Sequence, residues 1–357
     1  MPIIDFKTLH FPPRYGLADK IHTLDCTWSD IILAAVTVGR KNWEWVTRYG
    51  TLSEHEMVFR IKMILAFLEE NPYGEIERTD NLITLDPSEK VAISYFLGLV
   101  GTKLIAEKVF NIPWLMHLDV YTNFATGSDR VFFEKWITDR NTRPDLIGLD
   151  VRRDWVVIEA KGRTNNMGYT SLLEAKDQTK NIKTINGQYP ALRFANSTYF
   201  SRNIWNFSLV DPEEYHENAP DIDITLGQFF RDYYSTIYNF LQHDETEKIE
   251  YENNSFTVRE LKGTNVKIGI ESNFFNTIKE SSHNEQMFEN AVLNSQPIQP
   301  ETRDLTEDKP TSFEKNKYVD DIKIEDETDI DINSNKPSNI KISSSVSVGS
   351  DGIIVIY

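Results

Sequence analysis

One cysteine is all this chain has. Cys26 stands alone among 357 residues, so neither an intramolecular disulfide nor a cysteine-based zinc cluster is available. That favours a reducing compartment, and the cytoplasm is the expected location. A long apolar run is missing too. The longest, Val91 to Ala106, contains Lys103 and falls short of the roughly 20 residues a membrane-spanning helix needs. No membrane partner is expected. The opening Met1-Pro2-Ile3-Ile4-Asp5-Phe6-Lys7 lacks the layout of a signal peptide. Positive charge is scarce as well. Lys and Arg number 38 against 55 Asp and Glu, a net charge of −17. A surface of that sign repels a polyanion, so any nucleic-acid site must be a local patch. No helicase, methyltransferase or zinc-finger module is legible.

The negative charge is unevenly placed. Residues 244–357 hold 23 acidic and 12 basic side chains, most of the excess. Within them, Asp304 to Asp331 holds 11 acidic and 4 basic residues with few large apolar ones. Such a stretch cannot bury enough surface to offset its ordering entropy. We therefore expect 301–345 to be disordered and to be the part of the chain open to a protein partner or to self-association with a basic patch. The last residues, Val346 to Tyr357, read as a hairpin turning at Asp351-Gly352.

What the chain does have is aromatic and aliphatic material for a core: 7 Trp, 15 Tyr and 20 Phe within 40% hydrophobic residues. Residues 1–85 read as a mainly helical layer after an irregular start, with Thr27-Trp28-Ser29-Asp30 and Ser53 as helix openings. A stronger start follows at Asp86, with Pro87 in the first turn and Glu89 closing a capping box. Apolar residues then run from Val91 to Val109, and the helix is expected to end near Asn111. Trp114 to Tyr121 reads as a strand. Ala191–Phe200 and Ile204–Val210 read as further strands, and Leu226–Leu241 as an apolar helix whose aromatic stripe is core.

Between these lies the stretch with chemistry in it, Arg143 to Arg163. Leu146, Ile147 and Leu149 make one short strand. Asp150 to Asp154 makes a charged turn. Trp155, Val156, Val157 and Ile158 make a second strand. Asp145 opens the first, and Glu159 and Lys161 close the second. Residues two apart on a strand share a face, so Glu159 and Lys161 emerge together, and strand pairing brings Asp145 beside them. Two carboxylates form a hard oxygen site suited to Mg²⁺ or Mn²⁺. Such an ion lowers the pKa of a bound water, and an adjacent lysine can orient that water or neutralise charge on a phosphate.

Pro144-Asp145, a gap of 13 residues, and Glu159-Ala160-Lys161 resemble the PD-(D/E)xK nuclease superfamily, which includes restriction endonucleases and Holliday-junction resolvases. The resemblance implies Asp145 and Glu159 as metal ligands, the Ala160 carbonyl as a third, and Lys161 as the catalytic lysine. It implies a Lys or Gln on the following helix that holds the phosphate or water, for which Gln178 and Lys176 are the candidates. It also implies a restriction endonuclease-like αβββαβ core with a mixed sheet, here spanning 86–243. In that superfamily the first helix often donates a further glutamate. Glu89 and Glu107 are the acidic residues available, with Glu89 already committed to capping, and Asp119 is another candidate. Lys176, Lys180 and Lys183 follow at i, i+4 and i+7, one face of a continuous helix. With Arg163, Arg152 and Arg153 they are the basic group expected to contact a phosphate backbone.

The expectation is an α/β protein with a helical N-terminal layer, a nuclease-like core and an acidic C-terminal tail. Its function would be metal-dependent phosphodiester hydrolysis, with DNA the expected polymer. The competing expectation is an inactive protein of the same fold that binds nucleic acid or a protein partner.

Overall fold

Alternation decides the first element. Ile4, Phe6 and Thr8 are buried and their neighbours are not, so Ile3–Leu9 is a strand, β1. It pairs antiparallel with β2, Ile21–Asp25. The irregular start expected for the mainly helical residues 1–85 is thus a strand pair. The computed structural model describes the chain except for residues 18, 39–45, 47, 123–142, 167–168, 212–214, 218, 243–244, 282–283 and 296–344. The expected disordered stretch thus lies outside the described residues, save its last member.

Helices follow. Thr27 caps α1, Trp28–Thr37, through a capping box with Asp30. The second helix, α2, runs Gly50–Phe67, so Ser53 lies inside it and does not cap it. Short strands β3, Leu68–Glu70, and β4, Ile76–Arg78, pair with one another, and a short helix, α3, covers Asp80–Thr84. Asp86 then caps α4, Pro87–Phe110, with Glu89 reciprocating. Asn111 ends it in the left-handed conformation, φ 54°.

The core order is then helix, three strands, helix, strand. The strands β5, Trp114–His117, β6, Leu146–Leu149, and β7, Trp155–Gly162, pair antiparallel in sequence. A short helix α5, Asp119–Thr122, ends the first of them early. Helix α6, Tyr169–Gln178, crosses over, and after the short β8, Thr184–Ile185, the strand β9, Leu192–Ser201, pairs parallel to β7. β10, Ile204–Val210, returns antiparallel to β9 and takes β1 on its other side, in parallel. The result is one mixed sheet in the order β2-β1-β10-β9-β7-β6-β5 with β4 beside β10. The molecule is a mixed α/β protein.

At the central strands β6, β7 and β9 both faces of the sheet are buried, as their near-continuous apolar runs require. Val156, Ile158 and Ala160 face α4 with Val100 and Leu104. Trp155 and Val157 face the other way, onto Phe229, Phe230 and Tyr233 of α7, Leu226–Phe240. The aromatic stripe of α7 is therefore core. On the α4 face the approach is unusually close. A Cβ on Gly98 would sit 2.8 Å from the Gly162 nitrogen, and one on Gly162 would sit 1.6 Å from the Ser94 carbonyl oxygen. Only paired glycines let helix and strand meet there.

Residues 245–281 and 284–295, read from sequence as the start of an acidic tail, are folded in this structure. After β11, Asp221–Ile222, and α7 come β12, Glu247–Tyr251, β13, Asn254–Leu261, and β14, Val266–Glu271, then α8, Ser272–Ser281, and α9, Glu285–Asn294. The C-terminal hairpin exists as expected, with β15, Val346–Val348, and β16, Ile353–Ile356, and Gly352 at φ 79° in its turn. Its strand β16 pairs with β14, giving a second sheet β12-β13-β14-β16-β15 that shares its core with α7.

Candidate active site

The β6–β7 ladder ends at Leu146 opposite Ile158. One residue beyond it, Asp145 and Glu159 interlock. The Asp145 amide donates to Glu159 Oε2 at 2.8 Å, and the Ala160 amide donates to Asp145 Oδ2 at 3.2 Å. Lys161 Nζ forms a short ion pair with Glu159 Oε1. Glu159 is 1% exposed and Lys161 35%, so a sealed carboxylate is joined to solvent by its lysine. The three predicted residues thus meet where the two strands predicted they would.

Their electrostatics follow from that packing. Burial raises the Glu159 carboxyl to about 8, the nearby Asp145 charge adds to the rise, and Lys161 opposes it. Burial also raises Asp145, against the pull of His117 and Lys161. A sealed Glu159 and a half-buried Asp145 that resist ionising side by side are a site short of positive charge. The donor set is hard oxygen, which fits Mg²⁺ or Mn²⁺. Among the described residues, however, no group of three or more His, Cys, Asp or Glu side chains is placed to hold a metal. The expected helix glutamate is not there. Glu89 accepts the Asp86 amide at the exposed end of α4, and Glu107 is buried on Lys103 at 3.0 Å. The turn of α4 nearest the site carries Ser94 and Gly98, and the close contact with Gly162 leaves no room for a longer side chain. Asp119 sits beyond the end of β5 and pairs with Arg143 at 2.8 Å.

The helix after the motif covers the same side of the sheet. Leu172 and Ala175 of α6 pack on Ala195, the residue alongside Glu159 in the β7–β9 register. Lys176 and Gln178, both half-buried, stand on that helix. Its continuation differs from expectation. The α-helix stops at Gln178, a 3₁₀ turn covers Thr179–Asn181, and Lys183 lies beyond it. Lys176, Lys180 and Lys183 therefore do not line one helix face. Lys180 pairs with Asp177 at 3.6 Å. Arg163 donates to Ser171 Oγ at 2.7 Å, just past Lys161. Arg152 and Arg153 are removed from the patch altogether. They occupy the opposite end of the β6–β7 hairpin, where Arg152 grips Asp150 and Arg153 lies over the Trp114 ring at 4.3 Å.

Two residues near the site went unread in the sequence. Tyr95 Oη and His117 Nε2 are 2.7 Å apart, and the Leu118 amide, next to His117, donates to the Asp145 carbonyl at 2.8 Å. A lone histidine in an apolar strand and a tyrosine among helix core positions give no pattern that would have singled them out.

Comparison with family models, curated proteins and solved structures gives no match.

Proposed function

We propose that the chain is a metal-dependent nuclease with a PD-(D/E)xK-type, restriction endonuclease-like core. The observation that carries this is the interlocked Asp145, Glu159 and Lys161 at the end of two adjacent strands. The order of helix, three antiparallel strands, crossover helix and parallel strand supports it. Asp145 and Glu159 would hold Mg²⁺ or Mn²⁺, with the Ala160 carbonyl as a protein ligand and waters filling the rest, as Mg²⁺ prefers. The ion would polarise the phosphodiester and acidify a bound water.

The chain's own residues do the remainder. Lys161, tethered to Glu159 and open to solvent, orients the attacking water and offsets charge on the phosphate. Asp145 and Glu159 fix each other's rotamers through the backbone amides they accept, so the ligand pair is preorganised. Lys176 and Gln178 stand on the helix that covers this face, positioned to meet the phosphate. Arg163, Lys180 and Lys183 supply local positive charge to an otherwise acidic protein. DNA is the polymer proposed.

The test is cleavage of plasmid and linear DNA with Mg²⁺ or Mn²⁺, comparing wild type with Asp145→Asn and Lys161→Ala. Loss in both variants, with folding kept, supports the reading. Equal cleavage by all three proteins would refute it. The missing third acidic ligand favours one competing reading, a non-cleaving binder of nucleic acid or of a protein partner. Wild type that binds DNA but neither cleaves it nor binds Mn²⁺ would select that alternative.

A further inference from the structure

Resting on the nuclease reading for its ligand class, we infer that Tyr189 and Tyr215 form a stacking platform for an unpaired base, so that the nucleic acid bound carries a single-stranded segment.

Tyr189 is 58% exposed and Tyr215 37%. Their rings stack on one another, with centroids 5.2 Å apart and planes inclined by 30°. The two hydroxyls lie 3.4 Å apart. Single exposed aromatics are ordinary, but a stacked pair holds an apolar face toward solvent in one fixed place. The pair is also anchored. Arg193 is buried, with its guanidinium carbon 5.9 Å from the Tyr215 ring centre. That guanidinium donates to the carbonyls of Thr179, Ile182 and Lys183 at 3.1, 2.6 and 2.9 Å. The His216 amide donates to the Lys180 carbonyl at 3.0 Å. The tyrosines are thus tied to the segment that carries Lys180 and Lys183.

Open rings beside cations are the composition that holds a single strand. The rings take bases of any sequence, and the cations follow the phosphates. Lys180, Lys183 and Arg193 supply the cations. Opposing them are Asp177, which pairs with Lys180 and His216, and Glu217, whose charge reaches Tyr215. Bases in a duplex already stack on one another, so the platform takes an unpaired one. The strand register joins it to the carboxylates. Arg193 lies beside Val157 and Ala195 beside Glu159. Residues two apart share a face, so Arg193 and Glu159 leave the same face of the sheet, about 7 Å apart along the strands. Helix α6 lies on that face, with Leu172 and Ala175 on Ala195. Arg163 meets its first turn at Ser171, and the turn Thr179–Asn181 that Arg193 holds follows its last residue. A nucleic-acid strand laid along α6, about 15 Å long, runs from the Lys161 end to the tyrosine stack.

The experiment measures binding by the full-length protein in EDTA, where metal-dependent cleavage cannot run. The probes are a fluorescein-labelled oligothymidine of about 16 nucleotides and a duplex of the same length, read by anisotropy. Tyr189→Ala should weaken single-strand binding by about 5- to 100-fold and duplex binding by less than about twofold, with no change in melting temperature. Tyr215→Ala should show the same split. Tyr189→Phe, which keeps the ring and loses only the hydroxyl, should bind the single strand as wild type does. Equal losses on the two probes, no loss on the single strand, or a wild type that binds neither probe overturns the inference. The nuclease reading is judged separately, by cleavage with Mg²⁺ or Mn²⁺. Single-strand binding that depends on Tyr189, in a protein that cleaves nothing, upholds the platform and overturns the nuclease reading alone.

Discussion

Among the described residues, two clusters of two carboxylates and one lysine, one at the strand ends and one in the core, are built to opposite ends. At the strand ends, Asp145, Glu159 and Lys161 satisfy one another with few outside partners, and the lysine reaches solvent. In the core, Lys103, Glu107 and Asp351 are closed on every side. Lys103 is fully buried, pairs with Glu107 at 3.0 Å and donates to the Pro113 carbonyl. Tyr233 donates to Asp351 and lies 2.9 Å from the same Pro113 carbonyl, and Tyr234 donates to the Asp351 carbonyl at 2.8 Å. Trp114 Nε1 in turn donates to Tyr234 at 2.8 Å. Burial and the Glu107 charge lift Asp351 to about 6. The residue types match and the uses differ. The core cluster spends its hydrogen bonds on α4, α7 and the C-terminal hairpin, so it joins elements. The strand-end cluster leaves charge and a lysine facing water, where a ligand can complete it.

The largest effect that would break this comparison is catalytic. Asp145→Asn or Lys161→Ala should lower DNA cleavage by about 100- to 10,000-fold with little change in melting temperature. The equivalent change in the core should do the reverse. Lys103→Met leaves Glu107 and Asp351 buried without their cation, and removing one partner of such a pair costs about 3–5 kcal/mol. Chemical denaturation would read that loss, and the metal dependence of any residual folded fraction should be normal. A Lys103 variant that stays stable yet loses activity would mean the two clusters are not separable.

How much of this was legible in the sequence depends on range. The Asp86–Glu89 capping box, the Trp155–Ile158 run and the meeting of Asp145 with Glu159 involve neighbours within about one hairpin, and local pattern specifies them. The β1 strand was missed because seven residues of alternation weigh little against helical neighbours, and its inner partner β10 lies some two hundred residues away. The C-terminal hairpin was legible from Asp351-Gly352. Its place beside β14 was not, because nothing in Val346–Tyr357 names a partner across the acidic stretch. The same limit hid Tyr95 and His117, which lie 22 residues apart on α4 and β5 and meet only in the fold. Arg153 read as a phosphate contact, yet a left-handed turn, φ 70°, folds it over Trp114.

The next effect concerns protons. Glu159 titrates near 8 in the folded chain and near about 4.3 when unfolded. Its folded pKa is raised, so between those values the folded state holds a proton the unfolded state has lost. Stability of the metal-free protein must then fall as pH rises through that window. Glu159→Gln should flatten the fall, by about 1–3 kcal/mol between pH 5 and pH 8. Metal changes the sign of the preference, because a bound cation requires the ionised carboxylate. Mn²⁺ binding near pH 7 should release close to one proton, read by calorimetry in buffers of different ionisation enthalpy, and release should vanish above pH 9. Proton release that persists in Glu159→Gln would place the metal elsewhere.

The smallest effect tests the patch. If Lys176 and Lys180 contact phosphates, each removes about one counterion-release unit from the salt dependence of DNA binding. DNA affinity is best measured with Lys161→Ala, which binds without turning over. Lys176→Ala should reduce the slope of log affinity against log salt by roughly 1. Lys180 is already paired with Asp177, so Lys180→Ala should reduce it by less. Arg152→Ala should leave it unchanged, since Arg152 is bound to Asp150 at the far end of the hairpin. Should the phosphate contacts lie there instead, Arg152→Ala would move the slope and Lys176→Ala would not, and the nucleic acid would then run along the end of the sheet that holds Trp114 and Arg153, away from the carboxylate pair.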